Sequence, residues 1–188
     1  MPRTQIPKHR SDALRNRGII LRAAREVFAE VGIDASLSLV VERSGLGRGS
    51  LYRHFPNRYS LISAIFDENF TALEERAAKL DGKPGKFRGV LTLLIQQLIE
   101  ARGFVTLLLS NGSAQLPLRD HQEHLRTLLE TLIVEGHRDG EIEETVSVED
   151  LILIISMLAG LVLHHPSEEL PLVMRNALRI VGLPSLLP

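Results

Sequence analysis

Residues 36–61 read SLSLVVERSGLGRGSLYRHFPNRYSL, and this stretch decides the fold of the N-terminal part of the chain. Ser36 stands where a helix N-cap is expected, and the apolar residues after it predict a short helix that runs to Ser44. Gly45-Leu46-Gly47 predicts a tight turn, and a second short helix is predicted from Arg48 to His54. Two short helices joined by a glycine-containing turn form a helix-turn-helix.

The side chains of the second short helix suit contact with DNA. A helix-turn-helix places its second helix in the major groove. Arg48 and Arg53 offer paired hydrogen-bond donors to guanine or to phosphate. Gly49 and Ser50 are small, so they allow the helix backbone to approach the base edges closely. This helix is therefore the predicted recognition element.

Three further side chains are spaced to reach the sugar-phosphate backbone, where contacts fix the register without reading the sequence. These side chains are Tyr52, His54 and Arg58. Asn57 is suited to cap the helix that follows. The alternative is that the arginines are solvated and that Tyr52 packs within the domain, as Leu51 and Phe55 are expected to do.

The charge of the chain is divided unevenly along its length. Residues 1–60 hold 11 Lys and Arg against 5 Asp and Glu, which gives +6, whereas residues 61–188 hold 11 against 18, which gives −7. A basic head joined to an acidic body favours a protein whose N-terminal part meets a polyanion. Chance placement of solvated charges is the alternative.

Composition excludes several classes of protein. The 188 residues include no Cys, which excludes disulfides, thiolate metal sites and cysteine nucleophiles. The longest apolar stretch, Leu151 to Leu163, is shorter than the ~20 residues of a membrane span, and the basic first seventeen residues do not form a secretory signal. We expect a cytoplasmic protein with no membrane contact. No phosphate loop, carboxylate pair or nucleophile–base motif points to an enzyme.

The rest of the chain is predicted to be helical, so the expected fold class is all-α. Apolar residues recur with the helical period in each long segment, and no segment alternates with the period of a strand. Ser11 is expected to cap the first helix, and Gly32 to end it. The later segments are helices over about 57–80, 87–103, 118–136, 148–163 and 168–181, with a short apolar piece over 104–109.

The stretch from Ile20 to Phe66 resembles the DNA-binding domain of the tetracycline-repressor (TetR) family of bacterial transcription regulators. The matching residues are Ile20-Leu21-x-Ala23-Ala24-x-x-x-Phe28-x-x-x-Gly32, Ser44-Gly45-Leu46-Gly47-Arg48-Gly49-Ser50-Leu51-Tyr52-Arg53-His54-Phe55-Pro56-Asn57-Arg58 and Leu61. Gly47 replaces the Ser or Thr that usually caps the recognition helix of this family.

The resemblance implies a role for each residue of the motif. Arg48, Gly49 and Ser50 would lie nearest the bases, and Tyr52 and His54 would bind phosphate. Two more phosphate contacts are implied at positions outside the recognition helix. These are Arg58, which stands where the family usually has a phosphate-binding lysine, and Ser36 at the start of the preceding helix.

The resemblance also divides the chain into parts. Residues 1–10 would form a flexible basic tail, and residues 11–56 the helix-turn-helix DNA-binding domain. Residues 57–188 would form a helical regulatory and dimerisation domain, in which 57–80 is the linking helix.

The C-terminal helices predict a homodimer. A helix that is apolar on every side must be covered on every side, and Leu151 to Leu163 has too few neighbours in one chain for that. Pairing it and the last helix with the same two helices of a second copy gives a four-helix interface with two-fold symmetry. Two recognition helices would then lie about one DNA turn (~34 Å) or a multiple apart, as a palindromic operator requires.

The helical body is expected to hold a small-molecule effector that releases a repressor from DNA, with no cofactor and no metal. The candidate lining residues are Leu94, Leu98, Phe104, Leu108, His121, His124, Leu128, Met157, Leu161 and His164. His121 and His124 lie one helical turn apart and suit an acidic ligand, a metal ion or a pH-sensitive element. The alternative is that they are surface or hydrogen-bonded interior histidines.

Overall fold

The computed structural model describes residues 8–100, 119–166, 168–183 and 186, and most of these residues lie in helices and none in a strand. The all-α prediction is therefore confirmed. The helices are α1 Lys8–Val31, α2 Leu37–Ser44, α3 Arg48–His54, α4 Arg58–Lys79, α5 Lys86–Glu100, α6 Arg119–Arg138, α7 Val148–His164 and α8 Leu170–Ile180. The predicted apolar piece over 104–109, with Phe104 and Leu108, lies outside the described residues.

The chain divides into two compact units, Met1–Ile65 and Phe66–Pro188. The division falls within α4, so one continuous helix begins in the first unit and ends in the second. The long helix that the sequence predicts from about residue 57 is thus present, and it carries the chain from the first unit into the second without a loop.

The first unit is built on the apolar face of α1. The apolar residues that recur along this helix with the helical period are buried except for the last, Val31, which is exposed; the buried ones are Ile20, Leu21, Ala24, Val27 and Phe28. Gly32 ends the helix with a φ of 101°, which a residue with a side chain adopts only under strain. The prediction that Ser11 caps α1 is wrong, because the helix begins at Lys8. Lysine and arginine favour helices and extend α1 beyond the segment in which the apolar period is visible.

The second unit packs α5, α6, α7 and α8 around an aliphatic core. Ser147 and Asp150 form a reciprocal capping box at the start of α7, where the Ser147 Oγ accepts from the Asp150 N–H and the Asp150 carboxylate accepts from the Ser147 N–H. Pro171 lies in the first turn of α8, the part of a helix where proline is tolerated. The buried residues of these helices include Leu91, Leu94, Leu98, Leu125, Leu129, Leu151, Leu158, Met174 and Leu178.

A half-buried ion pair joins the start of α5 to α6. The Lys86 Nζ lies 2.9 Å from the Glu135 Oε1 and 3.0 Å from the Asp81 Oδ1 in the loop before α5. The hydrogen bond from Lys86 lowers the pKa of Asp81 below its ordinary value. Nearby, Glu141 accepts hydrogen bonds from the backbone N–H groups of Gly85 and Arg88. These contacts fix the N-terminus of α5 within the second unit.

The last two helices leave large apolar side chains exposed. Five such side chains lie on α7 and α8, with 46% to 76% of each exposed, and they are Leu153, Met157, Leu163, Leu172 and Ile180. Of the helices in the part of the chain that the structure describes, none is both long enough and apolar enough to cross a bilayer.

Candidate nucleic-acid interface

The helix-turn-helix predicted from residues 36–61 is present with the expected boundaries. Ser36 caps α2, with its Oγ accepting from the Ser38 N–H at 3.2 Å. Gly45 ends α2 with a φ of 66°, and Gly47 precedes α3 in an extended conformation without a side-chain cap. The departure from the usual Ser or Thr at position 47 thus leaves α3 without a side-chain hydrogen bond at its start.

An ion-pair cluster holds α2 against α1. The Arg43 guanidinium donates to both carboxylate oxygens of Glu30, at 2.9 and 2.7 Å, and to the Glu26 Oε2 at 3.3 Å. The hydrogen bond from Arg43 lowers the pKa of Glu30, and the bond to Glu30 in turn raises the pKa of Arg43. Arg43 therefore pairs with two acidic side chains of α1, and its contact with Glu30 is bidentate.

Helix α3 presents one buried face and one exposed face. Leu51 and the residue that follows the helix, Phe55, are buried, so the packing roles expected of both are confirmed. The guanidinium carbon of Arg17 lies 5.6 Å from the centre of the Phe55 ring. Tyr52 is 45% exposed, so it does not pack in the core as the alternative reading supposed.

The exposed face of α3 carries the residues expected to contact DNA. Positions 48, 49, 52 and 53 follow the helical repeat and are all exposed, whereas Ser50 and His54 are half-buried at the flanks. The Arg53 Nε donates to the Gly49 carbonyl oxygen at 3.1 Å, which holds the Arg53 stem along the helix. An added Cβ at Gly49 would meet no atom within 4 Å, so this part of the face is open.

The start of α4 is closely fixed. The Asn57 Oδ1 accepts from the Ser60 N–H at 2.8 Å, and the Asn57 N–H donates to the Ser60 Oγ at 3.3 Å, so Asn57 caps α4 as expected. Arg58 is half-buried, and its Nη1 donates to the carbonyl oxygen of Ile33 in the loop between α1 and α2. Arg58 therefore has a partner within the protein as well as its expected role as a phosphate ligand.

The charged side chains of α3 and of the first turns of α4 are all basic. The sequence has no Asp or Glu between Arg43 and Phe66, and this segment holds three arginines beyond Arg43. The exposed face of α3 and the start of α4 therefore form a basic surface with small residues at its centre. We call this surface, made by Ser36, Arg48, Gly49, Ser50, Tyr52, Arg53, His54 and Arg58, the basic face. Such a surface suits the phosphates and base edges of duplex DNA.

The residues predicted to line an effector pocket lie in several places. His121 is buried and hydrogen-bonded, with its Nε2 3.2 Å from the Asp67 Oδ1 on α4. The His124 Nε2 lies 2.9 Å from the Glu74 Oε1, and its ring stacks on Phe70 with 4.3 Å between ring centres. The structure thus places both histidines against carboxylates of α4, partners that the sequence alone did not identify. Among the described residues no group of three ligand-type side chains is placed to hold a metal ion.

Two other features of the second unit bear on the pocket. Met157 and Leu161 line an apolar groove of about 380 Å³ between α7 and α8, together with Ile180. A larger cavity of about 580 Å³ lies among the end of α6, the loop over 140–146 and residues 181–183, and His137 lines it. The other described candidates, namely Leu94, Leu98, His121, His124, Leu128 and His164, line neither of these two cavities. The effector site remains a prediction.

Comparisons with known proteins place the basic face in a family. The model of the bacterial regulatory proteins of the tetR family matches residues 20–65. The uncharacterized HTH-type transcriptional regulator YuxN of Bacillus subtilis (strain 168) is 24% identical over 127 residues, which are 65% of this chain and 43% of YuxN. The uncharacterized HTH-type transcriptional regulator YvdT of the same organism is 38% identical over 80 residues, 42% of this chain and 41% of YvdT. The chain thus spans less than half the length of these two relatives.

A solved structure extends the likeness to nearly the whole chain. The TetR transcriptional regulator SCO0520 from Streptomyces coelicolor is 27% identical, with a TM-score of 0.66 over 92% of this chain and 98% of that one. Its similarity covers the helical body as well as the helix-turn-helix. These findings support a TetR-family DNA-binding transcriptional regulator, with the family match on the helix-turn-helix and the structural likeness over the helical body as well.

Proposed function

We propose that this regulator is a homodimeric repressor that binds a palindromic operator and leaves it when a small-molecule effector binds. The observation that carries the proposal is the basic face, in which the exposed side of α3 combines arginines, a tyrosine and a glycine. A helix that binds in the major groove needs some side chains that contact base edges and others beside them that bind phosphate.

The DNA contacts divide into two kinds. Arg48, Gly49 and Ser50, at the start of α3, read base edges in the major groove, where Arg donates two hydrogen bonds to guanine. The other residues of the basic face contact the sugar-phosphate backbone and fix the register. The exposure of Tyr52 supports this role, because an exposed tyrosine beside two arginines can donate to phosphate without leaving the core unfilled.

The dimer forms through α7 and α8. The five exposed apolar side chains of these helices support this, together with the apolar groove that Met157 and Ile180 line, since exposed apolar surface of this extent marks an interaction site. A second copy of the same helices covers it by two-fold symmetry. The dimer carries two basic faces, so the operator it recognises is a palindrome.

Release by an effector operates through α4, which is continuous between the two units. An effector in the helical body favours a conformation in which the two recognition helices are wrongly spaced. It can do so only to the extent that it binds the free protein more tightly than the DNA-bound protein. An effector with equal affinity for both forms would contradict the mechanism. The proposal assigns no cofactor and no catalytic step, and it places the regulator in the cytoplasm with the DNA it controls.

The test is a selection of duplexes from a random pool by the purified protein, at low and at moderate salt. We expect a palindrome to be enriched, with affinity that falls steeply as salt rises, because Lys and Arg release counterions from phosphate. A repeat of the selection with Arg48→Ala is expected to change the preferred bases. No enrichment at either salt, from protein that native mass spectrometry finds free of bound ligand, would reject the proposal in favour of a helical adaptor.

A further inference from the structure

We propose that Arg58 is a positioning residue for the Ser36 phosphate contact, which it fixes through the carbonyl oxygen of Ile33. The inference rests on the proposed DNA-binding function and deepens it. It assigns to Arg58 a role through another part of the protein, in addition to its position on the basic face.

The contact that carries the inference links two segments that are far apart in sequence. The Arg58 Nη1 donates to the Ile33 carbonyl oxygen, 25 residues before it. Arg58 is the first residue of α4, whose start Asn57 caps. The donor is therefore attached to a fixed point, whereas the acceptor lies in a short loop.

That loop ends at the residue expected to contact phosphate. It begins at Gly32, includes a turn in which the Ala35 N–H donates to the Gly32 carbonyl at 3.0 Å, and ends at Ser36. Ser36 then caps α2 and lies 2.7 Å from the Ser38 Oγ. Only two residues lie between Ile33 and Ser36, so the position of the Ile33 carbonyl constrains the position of the Ser36 hydroxyl.

The chemistry of arginine fits this double task. A guanidinium carries five N–H donors in a rigid plane, so one can bond a carbonyl while others face outward. A lysine, which the resemblance leads one to expect at this position, has a single ammonium group on a flexible stem. The arginine at position 58 therefore holds the loop with one edge and keeps its charge on the basic face.

A double-mutant cycle on operator affinity tests the inference. Ser36→Ala and Arg58→Ala are each expected to weaken binding to all duplexes. The loss is larger for Arg58→Ala, because it removes the phosphate contact of Arg58 and also the constraint on Ser36. If Arg58 also positions Ser36, Arg58→Ala costs at least about threefold less in the Ser36→Ala protein, where only its own phosphate contact is lost, than in the wild type. The control pair is Arg58→Ala with Tyr52→Ala, whose effects are expected to multiply.

A second readout does not depend on DNA. In Arg58→Ala, the amide hydrogens of residues 35–38 are expected to exchange several-fold faster than in the wild type, whereas those of α3 are unchanged. Where Arg58→Ala fails to fold, Arg58→Gln removes the guanidinium group with a smaller change of volume. The same coupling between positions 58 and 36 in operator affinity is expected.

Three results would overturn the inference. They are multiplicative effects of the two substitutions, no loss of affinity in either single variant, and unchanged exchange in residues 35–38. A wild-type chain that enriches no duplex would instead overturn the proposed function itself. The two failures are therefore distinguished by the wild type.

Discussion

Replacing Ile180 by glutamate is expected to split the proposed dimer into monomers. Ile180 lies on α8, is 76% exposed, and lines the groove between α7 and α8 with Met157. Full burial of an isoleucine side chain is worth about 1.5–3 kcal/mol. Covering the three quarters that are exposed therefore contributes about 1–2 kcal/mol for each subunit.

Symmetry doubles this effect, because each substitution occurs twice in a two-fold interface. The loss of about 2–4 kcal/mol raises the dissociation constant of the dimer by about 30- to 700-fold at 1.4 kcal/mol per tenfold. Taking a glutamate carboxylate out of water at the interface adds to the loss. The figure is therefore a lower bound for Ile180→Glu.

Sedimentation velocity over a range of protein concentrations measures the change, and Val134→Glu is the matched control. Val134 is also an exposed apolar residue, at 66%, but it lies on α6, outside the proposed interface. We expect the control to sediment as the wild type does. Two results would refute the reasoning about α7 and α8. One is a wild type that is monomeric at every concentration, and the other is an Ile180→Glu protein that remains a dimer at the same concentrations as the wild type.

Three further predictions concern single sites. Tyr52→Ala is expected to weaken binding to the selected duplex and to unrelated duplexes by a similar factor, because a phosphate contact reads no sequence. Fluorescence anisotropy of labelled DNA measures both affinities. An unchanged affinity would show that α3 does not face the DNA. Gly136→Ala places a Cβ 2.9 Å from ring carbons of Phe87 and is expected to lower the free energy of unfolding, measured in urea, by about 1–3 kcal/mol. The control is Gly18→Ala, whose Cβ meets no atom within 4 Å and which is expected to raise that free energy by about 0.5–1 kcal/mol. Equal effects of the two substitutions would contradict the packing at α6. Ser147→Ala removes the cap of α7 and is expected to cost about 1 kcal/mol in the same assay, and an unchanged midpoint would show that this capping box does not stabilise the native state.

Much of the helix-turn-helix was predictable, because its boundaries are encoded locally. Ser36, Gly45 and Asn57 act on backbone groups within a few residues of themselves, so their effect is visible in a short window of sequence. The wrong prediction that Ser11 caps α1 has the same origin, because it too was made from a short window of sequence. A good capping residue also occurs inside a helix when the residues before it favour helix strongly enough.

The contacts between helices were not predictable from the sequence. The bond from Arg58 to Ile33 and the pairing of Arg43 with Glu30 depend on how helices cross and which rotamers their long side chains adopt. The same holds for the carboxylates that meet His121 and His124, since they lie on α4 at positions with no sequence signature. Apolar periodicity identifies the buried face of a helix, but it does not identify which neighbour covers that face.

The position of Tyr52 gives the protein an optical reporter of its own. The chain contains no tryptophan and only two tyrosines, Tyr52 on α3 and Tyr59 near the start of α4. Ultraviolet emission excited near 280 nm therefore comes from the helix-turn-helix and the start of α4, and residues 66–188 contribute none. Quenching of that emission by DNA would follow operator occupancy without a dye. If a small molecule that binds in the helical body altered this emission in the absence of DNA, the change would show that its binding affects the surroundings of Tyr52 or Tyr59.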